Sequence, residues 1–77
     1  MNRLKELLKE LEDGQRASLY ALGRRIVPSL THEDLLQPND YPELENHPHF
    51  RYEEGILAGI QSVQAAINLE MAIKEGQ

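Results

Sequence analysis

The fold is decided by residues 55–69, whose sequence is GILAGIQSVQAAINL. These fifteen residues carry no charge, and their branched side chains recur at spacings of four, three and four, which is the period of a helical stripe. A second stripe of small residues runs beside the first with the same spacings. The pattern predicts an α-helix over about residues 50–74. The branched stripe is Ile56, Ile60, Val63 and Ile67, and the small stripe is Gly55, Gly59, Ser62 and Ala66.

The apolar surface of this helix is unusually wide. Ala58, Ala65 and Leu69 extend it beyond the small stripe, so that it covers about 240° of the helix, whereas a single neighbouring helix needs only ~100°. One partner helix cannot cover such an arc. The arc therefore indicates a helix that packs against more than one neighbour.

A second long helix is predicted over about residues 3–27. Asn2 is a suitable N-cap, because its side chain can accept hydrogen bonds from the free amides of the first turn. Pro28 ends the helix because it disfavours helical geometry at Val27. Gly14 costs about 1 kcal/mol in a helix interior, so a break there is the alternative to one continuous helix. The apolar residues share an arc of about 120°: Leu4, Leu7, Leu8, Leu11, Leu19, Leu22 and Ile26.

Residues 28–49 connect the two helices and contain all four prolines of the chain. Thr31 followed by acidic residues predicts an N-capped short helix over about residues 32–36. Because a connection of this length allows the long helices to run antiparallel, the predicted fold class is all-α. It is an antiparallel helical hairpin, a single domain over residues 1–77, with a proline-rich connection that contains short helical turns.

The size of the chain favours self-association. A domain of 77 residues buries only about 60% of its unfolded surface, and the chain has no cysteine for a disulfide. Together with the wide apolar arc, this predicts a homodimer or tetramer in which hairpins complete a four-helix bundle. A different protein as the partner of the apolar face is the alternative. The predicted interface consists of Leu4, Leu8, Leu11, Leu22, Ile26, Gly55, Ile56, Gly59, Ile60, Ser62, Val63, Ala66 and Ile67.

The sequence favours a non-enzymatic interaction module, such as an adaptor, a regulatory subunit or an assembly subunit, without a cofactor. Ser18 and Ser62 lie on apolar faces with no histidine or lysine spaced to activate them. Glu53 and Glu54 are adjacent, so on a helix they point about 100° apart and do not share a site. The net charge of −5 and the lack of a basic cluster argue against nucleic-acid binding.

The expected location of the protein is the cytoplasm, without membrane contact. The N-terminal residues are charged and periodic, unlike a signal peptide. The longest uncharged stretch is the fifteen residues 55–69, whereas a membrane-spanning helix needs about 20 predominantly apolar residues.

A small metal- or ligand-binding protein is the alternative function. Two histidines two residues apart and a carboxylate from the next helical turn are the three ligands that catalytic zinc requires. Pro48 restricts the directions of the histidine side chains beside it, so the preferred interpretation is a polar loop that leads into an acid-capped helix, with no metal. The candidate ligands are His32, His47, His49 and Glu53.

Aromatic side chains near the connection allow two interpretations. Aromatic residues with a polar rim are common in the energetically dominant part of a protein interface. They equally suit a plug for one end of a helix bundle. The predicted recognition surface consists of the aromatic residues Tyr41, Phe50 and Tyr52 together with Leu44.

Overall fold

The structure is a computed structural model that describes residues 2–75, and the side chains of all of these except Asn2, Asn39 and Glu75. Helix α1 spans Asn2–Ile26, α2 spans Pro42–Glu45 and α3 spans Pro48–Glu75. Two short 3-10 turns, Asp34–Leu36 and Pro38–Asp40, precede α2, and residues 2–75 contain no strand. Helix α1 packs along α3, which confirms the predicted all-helical hairpin. The predicted cap at Asn2 concerns a side chain outside the described ones.

Helix α1 continues through Gly14 without a break. Ion pairs four residues apart reinforce its surface, with 3.1 Å between Lys9 and Asp13 and 2.9 Å between Arg16 and Glu12. At its C-terminal end the guanidinium of Arg24 donates to the Pro28 carbonyl at 2.9 and 3.2 Å. This places a cation at the negative end of the helix dipole.

The connection begins with a reciprocal cap. The Thr31 amide donates to Asp34 Oδ2 at 3.0 Å, and the Asp34 amide donates to Thr31 Oγ1 at 3.2 Å. Hydrogen bonds from the Thr31 backbone, the Thr31 hydroxyl and Tyr41 hold the pKa of Asp34 below its usual range. The turn that follows is a 3-10 helix over Asp34–Leu36. It ends where the predicted helix over 32–36 ends, and it begins two residues later, at the residue that the Thr31 hydroxyl caps.

Helix α3 begins at Pro48, two residues before the predicted start at Phe50. Proline is accepted at the first position of a helix, where its missing amide hydrogen has no partner to lose. The His47 ring supplies a cap, since its Nδ1 accepts a hydrogen bond from the Phe50 amide at 3.3 Å.

The hydrophobic core lies at the closed end of the hairpin, where the connection joins the two helices. Leu30, Leu44 and Phe50 are the most deeply buried side chains. Gly23 lies within this core, since an added Cβ would stand 2.6 Å from Leu30 Cδ2. Any larger residue at this position therefore requires the Leu30 side chain to shift. The buried apolar residues are Leu19, Leu22, Val27, Leu30, Leu44, Phe50 and Leu57.

The open end of the hairpin has no such core. Among the described side chains, none of α1 before Leu19 and none of α3 after Leu57 is buried. The radius of gyration is 15.1 Å and the dimensions are 48 × 20 × 19 Å. A compact domain of this length has a radius of gyration of about 11.5 Å. The hairpin is therefore a rod that is well packed at one end only.

Candidate interaction surface

The two long helices meet along a seam with alternating spacings of three and four residues, as in coiled coils and four-helix bundles. Every residue of this seam is buried or half-buried. Contacts pair low residue numbers of α1 with high residue numbers of α3, so the helices are antiparallel. The seam consists of Leu8, Glu12, Gln15, Leu19, Leu22 and Ile26 of α1, and Phe50, Glu53, Leu57, Ile60, Gln64, Ile67 and Met71 of α3.

The middle of the seam is polar. Glu12 accepts hydrogen bonds from the side-chain amides of Gln61 at 3.2 Å and Gln64 at 3.4 Å. Gln15 donates to the Glu53 carbonyl at 2.9 Å and to Glu53 Oε2 at 3.1 Å. The hydrogen bond from Gln61, with help from Arg16, Gln64 and Lys9, holds the pKa of Glu12 below its usual range although burial opposes this. These contacts hold the helices together where the seam lacks a buried core.

A second stripe precedes the seam by one position in each helix. Because one residue rotates a helix by about 100°, and because the helices are antiparallel, both stripes lie on the same side of the hairpin. We call this surface the outer face. Every one of its residues is exposed. On α1 they are Leu4, Leu7, Leu11, Gly14, Ser18, Ala21 and Arg25, and on α3 they are Tyr52, Ile56, Gly59, Val63, Ala66 and Glu70.

The outer face is largely apolar. Leu7, Leu11 and Val63 are 41%, 58% and 48% exposed. The opposite side of the hairpin is polar, and Lys9 and Asn68 line a cleft there. The accessible surface of the chain is 5423 Å². A compact monomer of 8.8 kDa exposes about 4,800 Å². The hairpin is therefore amphipathic as a whole, and it exposes more surface than a compact chain of its mass.

Eleven of the thirteen residues predicted as an interface are divided between the seam and the outer face. The branched stripe that was predicted as one surface is split between the two. Ile60 and Ile67 face α1, whereas Ile56 and Val63 are exposed. The reason is the rotation of α3 about its own axis, which places only one side of its apolar arc against α1 and leaves the other side exposed. Leu22, Leu8 and Ile26 also belong to the seam. The exposed predicted residues on the outer face are Leu4, Leu11, Ile56, Gly59, Val63 and Ala66.

Two predicted interface residues lie just beyond the outer face. Gly55 and Ser62 are both exposed. The Ser62 hydroxyl donates to the Ala58 carbonyl at 3.0 Å within the same helix. The predicted interface left out seven residues that complete the outer face. Their signal is the unbroken spacing of three and four, in the positions Leu7, Gly14, Ser18, Ala21, Arg25, Tyr52 and Glu70.

The four residues of the predicted recognition surface are divided between the core and the surface, and the two buried ones plug the end of the helix pair, which was the alternative interpretation. Leu44 and Phe50 are 0% exposed and form the core at the closed end, because the connection folds back over them. Tyr41 is half-buried, and its hydrogen bond to Asp34 raises the pKa of the phenol. Tyr52 is 68% exposed and belongs to the outer face.

The four candidate metal ligands do not form one site. The His47 and His49 ring centroids are 6.5 Å apart, and His49 Nε2 lies 3.8 Å from Glu53 Oε1. His32 instead stacks on Tyr20, with 3.7 Å between ring centroids. Within residues 2–75, no group of three histidine, cysteine or acidic side chains is arranged to hold a metal ion.

One cleft lies on the side of the hairpin opposite the outer face, beside the connection. It has a volume of about 250 Å³, and apolar side chains form its floor. Ligand sites are typically about 300–1,000 Å³ and more enclosed. The cleft is therefore small for a binding site. Its lining residues are Arg16, Leu19, His32, Glu33, Leu35, Leu36 and Leu57.

Helix α3 also meets the length and composition of a membrane-spanning segment. The 27 residues Pro48–Lys74 are long and apolar enough to cross a membrane, and 11% of the most apolar window is buried. A core helix that lacks its partner has the same properties. This feature alone therefore does not distinguish a lipid bilayer from a protein partner.

No family model, curated protein or solved structure matches this chain. Its function is therefore inferred from its own surfaces.

Proposed function

We propose that this protein is a small non-enzymatic interaction module whose outer face binds a second copy of the chain. Two hairpins then complete a four-helix bundle. The observation that supports this proposal is the outer face itself, an exposed apolar stripe on each helix beside the seam. A helix in a four-helix bundle contacts two neighbours and carries two such stripes, whereas a helix in a lone hairpin needs only one.

The balance of buried and exposed side chains supports the same proposal. Seven hydrophobic residues form the core, while nine large hydrophobic side chains are exposed among the described residues. The chain exposes roughly 600 Å² more than a compact monomer, and a stable interface takes about 800 Å² from each partner. The hairpin therefore exposes more surface than a compact chain of its mass, as is expected of one half of a dimer.

A protein partner suits α3 better than a lipid bilayer does. Gln61, Gln64 and Asn68 lie on its polar side, and the two glutamines donate to Glu12. Insertion of α3 into lipid would remove these amides from their partner and bury them in hydrocarbon, which is costly. Burial of the outer face alone leaves these hydrogen bonds intact.

The proposed bundle leaves the connection accessible at the closed end of each hairpin. This arrangement is compatible with a role as an adaptor, a regulatory subunit or an assembly subunit, in which self-association presents two copies of the same surface.

The test is the mass in solution, measured by light scattering on a sizing column over a hundredfold range of concentration. We expect twice 8.8 kDa for the natural chain. The variant Val63→Lys, which places a charge on the outer face, should be monomeric. The matched control Ala65→Lys, two residues away on the polar side, should remain a dimer.

Two outcomes would overturn the proposal. One is a natural chain that is monomeric throughout, and the other is a Val63→Lys mass equal to that of the control. Circular dichroism checks that both variants remain helical. Flotation with neutral phosphatidylcholine vesicles tests the lipid alternative, and recovery of the natural chain with the vesicles would assign the apolar surface to a bilayer.

A further inference from the structure

We infer that the two outer faces meet antiparallel, so that the closed end of each hairpin lies beside the open end of the other. A two-fold axis then crosses both helices at the level of Gly14 and Gly59. This inference rests on the proposed self-association. It adds the relative orientation of the two copies, which an apolar face alone does not specify.

The level of the two glycines follows from the seam. Glu12 and Gln61 are joined by a hydrogen bond of 3.2 Å. Gly14 and Gly59 each stand two residues closer to the closed end, and therefore at the same level of the hairpin. Both are exposed, and no atom outside the helix lies within 4 Å of where a Cβ would stand. Two glycines at one level near the middle of the outer face let helices from two copies approach closely.

The sizes of the side chains along α1 match under this symmetry. Large leucines occupy the open half of its stripe, whereas Ser18 and Ala21 occupy the closed half. A two-fold axis at Gly14 brings Leu7 opposite Ala21 of the second copy, and Leu11 opposite Ser18. Large residues then meet small ones, as dense packing requires. On α3 the same axis brings Tyr52 opposite Ala66 and Ile56 opposite Val63. With closed ends together, Leu7 would oppose Ala66 and Ala21 would oppose Tyr52, so the sizes fit both orientations and the charges decide between them.

The charges favour the same orientation. The connection, residues 28–49, has five acidic residues and no lysine or arginine. With closed ends together, the two connections would lie side by side and repel. In the antiparallel arrangement each connection lies beside the start of α1 in the second copy, which carries Arg3 and Lys5 against one acid, Glu6.

A second charge relation comes from the ends of the outer face. Arg25 follows Gly14 by eleven residues, and Glu70 follows Gly59 by eleven residues. In antiparallel helices these equal offsets run in opposite directions, so the two-fold axis brings Arg25 to the level of Glu70 of the second copy. Within residues 2–75, neither side chain belongs to an ion pair. Glu70 of the second copy then lies at this level on the diagonally placed helix, so the two opposite charges share one end of the bundle.

Disulfide cross-linking tests this orientation cleanly, because the chain has no cysteine of its own. Gly14→Cys should form covalent dimers on mild oxidation, since each copy faces itself at the axis. Ala21→Cys is the control: it lies seven residues from the axis, so its own counterpart is about 21 Å away, beyond disulfide reach. A mixture of Leu7→Cys and Ala21→Cys should give covalent dimers containing both variants. We expect a yield several-fold above the control for Gly14→Cys and for the mixture.

Different failures have different meanings. If Gly14→Cys links to Gly59→Cys in a mixture but not to itself, the closed ends lie together, and the orientation is overturned while the association stands. Equal yields at positions 14 and 21 in a protein that is a dimer by light scattering would also overturn the orientation. A natural chain that is monomeric by light scattering would overturn the proposed association itself.

Discussion

Glu12 of α1 accepts a hydrogen bond from the side-chain amide of Gln61 of α3, with 3.2 Å between Glu12 Oε2 and Gln61 Nε2. The carboxylate also accepts hydrogen bonds from Gln64 and Arg16, and the Glu12 side chain is only 13% exposed. A displacement of one helical turn would leave the carboxylate without these amides. A polar residue within a helical seam specifies register in this way, as it does in coiled coils.

Acid should weaken the hairpin partly through Glu12. Its pKa is held below the usual range, first by the hydrogen bond from Gln61, so the folded protein binds this proton less readily than the unfolded chain does. The stabilisation is complete above the pKa of an unfolded glutamate, about 4.3, and is lost as the pH falls through the lower pKa of the folded state. We expect the Tm, followed by circular dichroism from pH 7 to pH 3, to fall less in Glu12→Gln than in the natural chain.

The control for this measurement is Glu10→Gln, which removes an exposed carboxylate two residues away, on the other side of α1. Its Tm should follow the natural chain across the pH range. If the Tm of Glu12→Gln falls with pH in parallel with that of the natural chain, the contact between Glu12 and α3 does not depend on the charge of Glu12.

Two leucines of the connection should differ sharply when they are shortened. Leu44 is 0% exposed and Leu36 is 73% exposed. We expect Leu44→Ala to lower the free energy of unfolding by about 2–5 kcal/mol, because it leaves a cavity in the core. Leu36→Ala should change it by less than about 0.5 kcal/mol. Urea unfolding measures both, and equal losses would place the core elsewhere.

Two glycines of α1 should respond oppositely to alanine. At Gly23 an added Cβ would stand 2.6 Å from Leu30 Cδ2, so we expect Gly23→Ala to cost about 1–3 kcal/mol through overpacking. At Gly14 nothing lies within 4 Å, so Gly14→Ala should stabilise the dilute hairpin by about 1 kcal/mol through helix propensity. Urea unfolding at low concentration compares them. Stabilisation by both changes would contradict the packing around Gly23.

Leucine at Gly59 should separate the stability of the hairpin from its association. The position is open in the single chain, so Gly59→Leu should keep or raise the helicity in dilute solution. In the proposed dimer the added side chain would prevent the close approach of the helices, and we expect the dissociation constant to rise about tenfold or more, a loss of ~1.4 kcal/mol.

Gly55→Leu is the matched control, because Gly55 is equally open in the single chain but lies beyond the outer face. Sedimentation over a range of concentrations measures both variants. An unchanged dissociation constant for Gly59→Leu would remove Gly59 from the interface.

Zinc should leave the thermal stability unchanged. His47 Nδ1 already accepts the Phe50 amide, and His32 stacks on Tyr20 rather than beside the other histidines. A ligand present at a hundredfold excess over its dissociation constant adds about 2.7 kcal/mol, which a melt would detect. The comparison is a melt with zinc against one with a chelator. A zinc-dependent rise in Tm that His49→Ala abolishes would restore the metal-binding alternative.

The seam shows where prediction from the sequence stops. The residues around Ile60 predict a helix, because each contributes to a spacing of three or four along one segment. The same spacing does not say that Ile60 faces α1 while Ile56 and Val63 face outward. The rotation of α3 that separates these side chains depends on Glu12 and Gln15 of α1, which lie about 40 to 50 residues away in the chain and form hydrogen bonds with α3.

The closed end gives a second example. Leu44 and Phe50 stand among polar and proline residues, so their local pattern suits a recognition surface as well as a core. Their complete burial arises because the turns of the connection fold over the end of the helix pair, against Leu22 and Val27 of α1. Contacts of this kind leave no periodic trace in the sequence.

The sequence by itself determined that the chain forms two long helices in a hairpin. It also determined that the helix over about residues 50–74 has a wider apolar arc than one neighbouring helix can cover. Helical periodicity is a relation between residues three or four apart, so it is readable within each segment. Only the tertiary structure decided the rotation of each helix, the hydrogen bonds that join Glu12 to α3, and the position of the core. These result from contacts between distant segments, in which hydrogen bonds and packing choose one among several rotations that the apolar pattern permits.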